Sequence, residues 1–357
     1  MITLNQHKSN VYSRIMRTFS DDSAPVSAFS SWFPSFTTLD RLVSIQVRRN
    51  RQLIAVDVRK NTGGNINKFS NYTEKMYEPP AYIEKFDFST VQYHDVTFGN
   101  NNNPNVSQAH RMIAEATDNL LTLKHKVQRA IEKQRSQVLQ TGVVTLKNGD
   151  NIDFKRKAAS LVAKTGTEVW SNAAGKPLDD IATGIKFIRQ EGKSASRSYD
   201  LIMGEAAFAS FMANVQVKEA AEFRRINILE IGTTKFDNTT GLNYHGRIST
   251  KNGNVDLWTY DDFYEDPADT YNEYVDPKNV ILLPRDFVGN TSYAGMPQIM
   301  RDKSNAEFPQ YIQQQEAEFF MNNWIDANVK AHWFEIASSP LAVPTSIDRV
   351  WTAQVEE

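Results

Sequence analysis

Residues 258–284 constrain this chain more than any other stretch. They read WTYDDFYEDPADTYNEYVDPKNVILLP, with aromatic side chains at Trp258, Tyr260, Phe263, Tyr264, Tyr271 and Tyr274. From Asp256 through Asp276 there are eight carboxylates and no Lys or Arg, and the apolar run 280–283 ends at Pro284. Aromatic residues suit a pleated, half-buried surface, whereas Asp, Asn and Pro interrupt it. The segment therefore reads as strand, acidic aromatic turn, strand. Its turn must stay hydrated or meet cations from elsewhere, because unpaired charges are costly to bury.

The chain has 357 residues, enough for one large domain or two to three smaller ones with a substantial core. Basic and acidic residues nearly balance, 40 against 42, so global charge implies neither nucleic acid nor a membrane surface as partner. There is no cysteine, which excludes disulfides, thiolate nucleophiles and zinc–cysteine sites. The first sixteen residues lack the apolar core of a signal peptide. No apolar run approaches the roughly 20 residues of a membrane helix. The expectation is a soluble or assembled protein, held by burial and by contacts with other chains.

Periodicity outlines the elements. Val11, Ile15 and Phe19 have helical spacing, and Trp32-Phe33-Pro34-Ser35-Phe36 reads as an extended anchor, because Pro34 disfavours helix before it. Residues 43–59 alternate as strands around the basic connector Arg48-Arg49-Asn50-Arg51. A turn-rich tip follows at 61–65, then Pro79-Pro80, then a returning strand at 82–88. Together these predict a long two-stranded excursion reaching roughly 70 Å if fully extended. An isolated hairpin is marginal in water, so it must pack on another domain or another chain. Over 106–140, apolar residues recur at steps of three and four, which predicts a helix about 50 Å long. That helix suits either a coiled-coil seam or a spine across a flat domain. Asn148-Gly149 predicts a two-residue hairpin turn. Helices are expected at 177–191 and 205–214, strands at 199–203, within 226–260, and near 331–336 and 350–355.

Motifs for chemistry are sparse. His7, His94, His110, His125, His245 and His332 show no metal-ligand spacing. Gly232-Thr-Thr-Lys lacks the first glycine of a phosphate loop, and no nucleophile elbow is present. Asp261, Asp262, Glu265, Asp266 and Asp269 do not fit a calcium loop, which needs a central glycine. Neither a catalytic, a cofactor-binding nor a metal site is expected. The helix bears Arg111, Lys124, Lys126, Arg129, Lys133 and Arg135 against Glu115, Asp118 and Glu132. These suit a mixed solvated face or, alternatively, a phosphate-backbone contact.

Several short motifs, in this order, carry a resemblance. They are Pro79-Pro80-Ala-Tyr-Ile-Glu, Gln137-Val-Leu-Gln-Thr-Gly142, Trp170 followed by Pro177-Leu-Asp-Asp-Ile, Leu201-Ile-Met-Gly-Glu-Ala-Ala-Phe, Tyr260…Tyr264-Glu-Asp with Val280-Ile-Leu-Leu-Pro284, and Ser338-Ser-Pro-Leu-Ala-Val-Pro344. The chain resembles the lambda-like capsid protein E family of tailed bacteriophages over roughly residues 35–355. One departure is Pro267-Ala-Asp-Thr, where the family often has a glycine. The resemblance implies an α+β, Hong Kong 97-type capsid fold. Its parts would be an N-terminal arm (1–38) lying across a neighbour, an extended E-loop hairpin (39–98), a peripheral domain (99–176 and 311–357) with its spine helix, and an axial domain (177–310). The implied function is a non-enzymatic major capsid protein that assembles as hexamers and pentamers into an icosahedral shell around double-stranded DNA, touched only non-specifically. Scaffolding, decoration and portal proteins are the implied partners, without a membrane. The implied location is the virion, after synthesis in the host cytoplasm. A tail or minor head component is the alternative. Candidate inter-subunit contacts are Arg48, Arg49 and Arg51 on the hairpin and Asp261, Asp262 and Asp266 on the acidic turn.

Overall fold

The computed structural model describes residues 25, 27–47, 73–89, 108–146, 149–222, 229–236, 240–250, 252–301, 310–326 and 331–357. Among them are four α-helices: α1 (Gln108–Gln140), α2 (Pro177–Gln190), α3 (Glu205–Ala213) and α4 (Val215–Glu222). At the centre lies a mixed seven-stranded sheet. Its order is Leu161–Ala163, Trp351–Gln354, Asn279–Pro284, Ser198–Met203, Gly253–Tyr260, Leu242–Thr250 and Leu229–Phe236. In Ser198–Met203 the five residues from Tyr199 onward, Tyr-Asp-Leu-Ile-Met, are all buried, so the strand is covered on both faces, as a central strand must be.

Side chains alternate across this sheet. Tyr199, Leu201, Met203, Val255 and Leu257 point into one core, covered by α2 through Ile181, Ile185 and Ile188. Pro177 at the first turn and Asp179 and Asp180 behind it start α2 as helix-end chemistry predicts. Gly184 lets α2 approach closely, since a Cβ there would lie 2.8 Å from the Trp351 ring. Ile202, Tyr260, Ile281 and Leu283 point to the other core, shared with Val138 and Leu139 of α1 and with Phe29 and Phe33 near the N-terminus.

The two long strands expected within 258–284 are present but do not pair with each other. Ser198–Met203 lies between them, parallel to Gly253–Tyr260 and antiparallel to Asn279–Pro284. Two inter-strand spacings, about 10 Å, therefore separate them. The acidic turn bridges that gap and folds back as its own short hairpin, Phe263–Glu265 with Tyr271–Glu273.

The predicted spine helix is α1. It packs on strands Pro340–Val343 and Ala331–Ser338, which removes the coiled-coil alternative. It ends where Gly142 turns left-handed (φ 74°) and its N–H bonds to the Val138 carbonyl at 3.0 Å. The next free carbonyl, Leu139, accepts from Arg156 Nη1 (2.6 Å) and Thr352 Oγ1 (2.9 Å). Arg156 also donates to the Ser160 and Val350 carbonyls, each at 3.1 Å, so it staples the helix end to the C-terminal strand. Burial pushes its guanidinium down to about 9, still charged at neutral pH.

Four expectations need correction. First, Val43–Val47 pairs antiparallel with Thr73–Tyr77, whereas Tyr82–Ser89 is not the returning arm of that hairpin. It pairs with Ala331–Ser338 in a three-stranded sheet edged by Phe320–Asp326. Pro79-Pro80 ends the first strand, and Phe86 stacks on Phe334 (5.2 Å, 10°), with Phe88 edge-on to both, fixing the second elsewhere. Second, residues 27–37 of the expected arm are built into their own chain. Ala28, Phe29 and Phe33 are buried in the core, and Ser35–Thr37 pairs parallel with Asn290–Tyr293.

Third, Glu132 and Arg135 do not belong to a solvated helix face. Glu132 is 1% exposed and accepts from Ser27 Oγ (2.7 Å), Phe29 N–H (2.8 Å) and Arg135 Nη1 (3.2 Å). Arg135 also donates to Ser27 Oγ (2.9 Å) and, through Nε and Nη2, to Thr291 Oγ1 (3.1 and 3.0 Å). Fourth, the connection at Asn148-Gly149 is three residues long. Leu146 N–H bonds to the Asp150 carbonyl (2.9 Å), and Gly149 takes the left-handed conformation that such loops require.

Breaking a buried pair strands the remaining charge, at a cost of about 3–5 kcal/mol. Glu132→Ala should therefore lower the stability of the free chain by that order in a denaturant titration. It should also make the peptide bonds around residues 27–33 newly sensitive to protease.

Candidate assembly surfaces

The acidic hairpin has two unlike faces. On the inner face, Lys133 Nζ of α1 lies 4.6 Å from the centre of the Tyr264 ring. Tyr264 then begins an aromatic ladder running through Tyr274 (5.2 Å), Tyr260 (5.8 Å, stacked) and Phe29 (5.4 Å, edge-on). The helix continues the attachment: Ser136 Oγ and Gln140 Nε2 both donate to the Tyr274 carbonyl. Gln140 Oε1 accepts from Asp276 N–H and Asn279 Nδ2, each at 3.0 Å. The hairpin is thus clamped to the C-terminal half of α1.

The outer face carries Phe263 and Tyr271, edge-to-face at 5.3 Å and 57% and 67% exposed. Cross-strand pairing sets Phe263 opposite Glu273 and Glu265 opposite Tyr271, so aromatics and carboxylates alternate there. Glu273 Oε2 is buried without a hydrogen-bond partner. Burial, then Glu205, Asp261 and Asp276, raise its pKa above the ordinary carboxylate range.

The three acidic candidates have different roles. Asp261 is exposed and accepts from Asn243 Nδ2 at 3.4 Å. Asp262 is half-buried; burial pushes its carboxyl up, and its carbonyl accepts the Tyr274 N–H (3.1 Å). Asp266 builds the turn itself. Its Oδ1 accepts from the Ala268 and Thr270 N–H groups (2.9 and 3.1 Å), and Oδ2 from Asn272 Nδ2 (3.3 Å). Here the turn conformation comes from an aspartate clasp and Asp269 at φ 58°, in place of a glycine. Arg48, Arg49 and Arg51 lie outside the described residues.

A second charged cluster escaped the sequence reading. Asp256 is buried and accepts from Arg247 Nε (2.6 Å) and Nη2 (3.1 Å) and from Arg285 Nη2 (2.7 Å). Its strand neighbour Asp200 accepts from Trp258 Nε1 at 3.2 Å, and burial raises its carboxyl. These residues come from four strands or strand ends, so no local spacing announces them. Glu132 and Arg135 were easier to find: the apolar stripe of α1 jumps from Ile131 to Val138, and Gln134 and Arg135 fill the gap. Among the described residues no three His, Asp or Glu side chains converge as a metal site, and no helix is long and apolar enough to cross a membrane.

The described residues thus form a sheet domain braced on one long helix, with Phe263, Tyr271 and Trp324 among its exposed aromatic side chains. The family model described as phage major capsid protein E matches residues 31–355. The chain belongs to that family; it is a phage major capsid protein, a structural component of the virion shell. No curated protein matches the sequence significantly. Among solved structures, it is similar to a protein designated a prophage capsid protein from Escherichia coli CFT073. That match has 14% identity, covers 97% of this chain and 98% of the other, and has a TM-score of 0.62. The α+β fold is accordingly of the Hong Kong 97 type. A phage-related protein of Bordetella bronchiseptica RB50 is 12% identical over 96% of each chain, with a TM-score of 0.49. The mature capsid protein of bacteriophage PhiM1 is 11% identical over 94% of this chain and 89% of its own, at 0.46.

The Asp266 clasp has a defined pH signature. Hydrogen bonds from Thr270 and Ala268 hold its carboxyl below the ordinary value of 3.8. A depressed folded-state pKa means the stabilisation is complete above the unfolded value and is lost as pH falls through the folded one. Protection of the Ala268 and Thr270 amides against hydrogen exchange should therefore hold down to about pH 4 and fade below it. In Asp266→Ala that protection should be absent at neutral pH as well.

Proposed function

We propose that this capsid subunit assembles as hexamers and pentamers into a closed icosahedral shell around double-stranded DNA, which it touches only non-specifically. In this reading residues 177–310 are the axial domain, 99–176 with 311–357 the peripheral domain, and 39–98 supply the E-loop, whose arm ends near Tyr77. The observation that carries it is apolar surface left exposed among the described residues. Phe36, Leu39, Leu42 and Met76 are exposed around the hairpin base, and Ile83, Met321, Trp324 and Ile325 on the peripheral sheet. Monomers that remain alone rarely expose so many large apolar side chains in groups. The hairpin packs on an adjacent copy, and Arg48, Arg49 and Arg51 meet carboxylates there. Asp261 and Asp262 are contact residues too, whereas Asp266 serves by shaping the turn. Scaffolding, decoration and portal proteins complete the assembly, which begins in the host cytoplasm. The protein has no catalytic role.

Purified protein at high concentration should give shells, rings or tubes by negative-stain imaging. Arg49→Glu should lower their yield, and more strongly at low ionic strength, because salt screens exposed pairs. Unchanged yield at every salt concentration would remove the hairpin arginines from the interface.

A further inference from the structure

The central sheet is charged oppositely at its two strand ends. Strand register places Met203, Tyr260 and Asn279 together at one end, where Glu205, the acidic hairpin and Asp276 follow. It places Ser198, Asn254 and Pro284 at the other, where the chain carries Arg189, Lys193, Arg197 and Arg285, and where the carboxylates Glu191 and Asp286 are already paired with Lys157 and Arg349. Among the described residues Arg189, Lys193 and Arg197 form no ion pair, and Arg285 shares Asp256 with Arg247. Complementarity to the α2 dipole explains Arg189 in its last turn, but not the other three, which stand on separate segments. Six residues of strand put the ends about 20 Å apart, beyond the ~8–10 Å over which exposed charges attract in physiological salt. The two ends therefore cannot neutralise each other within one chain.

Resting on the shell-forming reading, we propose that the acidic end of one copy docks on the basic end of the next. Asp261 and Glu265, beside Phe263 and Tyr271, would meet Arg189, Lys193, Arg197 and Arg285 of the following copy. Guanidinium groups suit this surface, because they stack on aromatic rings while pairing with carboxylates. Two different patches that fit each other make a head-to-tail contact, which propagates until the rotation closes a ring. Asp266 and Asp256 take no part, since their oxygens are already occupied within the chain.

The test is a charge exchange in the full chain. One variant, Arg189→Glu with Arg197→Glu, has two acidic ends. The other, Asp261→Lys with Glu265→Lys, has two basic ends. Each alone should lose at least tenfold in assembled mass by light scattering at low salt while keeping the parent's melting temperature. An equimolar mixture should recover six-membered rings or tubes in which the variants alternate, since a five-membered ring has no alternating arrangement, and a chain carrying all four changes should assemble unaided. Should a double variant fail to fold, Arg197→Gln and Asp261→Asn supply the same comparison with a smaller loss. Variants that assemble like the parent, or a mixture that does not recover, would overturn the docking while leaving the shell reading intact. A parent that stays monomeric at every concentration and salt would instead overturn the shell reading.

Discussion

The structure depends on a short row of polar side chains buried under the spine helix. Glu132, Gln134, Arg135 and Ser136 are buried within little more than one turn of α1, where an ordinary core helix would place aliphatics. Each has a separate task. Glu132 and Arg135 hold the N-terminal segment and the Asn290–Tyr293 strand. Gln134 bridges the Tyr82 hydroxyl (2.8 Å) and the Ala342 N–H (3.3 Å). Ser136 and Gln140 hold the segment leaving the acidic hairpin. Apolar packing is non-directional and would let these segments slide along the helix. Buried hydrogen bonds are costly to leave unmade, so they admit one register. Without disulfides, this is how a single helix indexes the N-terminal segment, the hairpin and the peripheral sheet against one another.

The same row shows where the sequence was legible and where it was not. The extent of α1 followed from its period and from Gly142, because both are local. Pro177 with its three spaced isoleucines marked α2, and the run 199–203 marked the central strand. The row itself was misread. Charged residues on a helix are ordinarily solvated, and only partners 103 to 156 residues away make burial affordable at Glu132 and Arg135. Strand pairing failed for a related reason. Residues 253–260 and 279–284 are neighbours in sequence and read naturally as a hairpin, yet Ser198–Met203, which gives no local sign of its partners, lies between them. Tyr82–Ser89 was likewise assigned to the nearest strand in sequence, although its aromatic partner Phe334 lies far along the chain. Of the candidate contacts, the exposure of Asp261 was foreseeable. The clasp made by Asp266 was not, because Asp at the start of a turn and Asp on a surface look alike in sequence.

A subunit of a shell has to satisfy two opposing conditions. It must remain soluble while single, and it must have apolar area to bury once neighbours arrive. The acidic hairpin meets both by dividing its two faces. Its inner face is tied by Tyr264, Tyr274 and Tyr260 to Phe29, and through Phe29 to the Glu132 network, so its position is set by the same buried row. Its outer face presents Phe263 and Tyr271, each opposite a carboxylate on the other strand. Like charges around exposed aromatics discourage two such faces from meeting each other, and only a cationic surface relieves the repulsion. The absence of Lys and Arg from residues 256–276 then has a physical meaning. An internal cation on the outer face would neutralise the hairpin within its own chain and remove the reason to select a basic neighbour. Lys133 comes from the spine helix and engages the inner face, where it fastens the hairpin without satisfying the outer one.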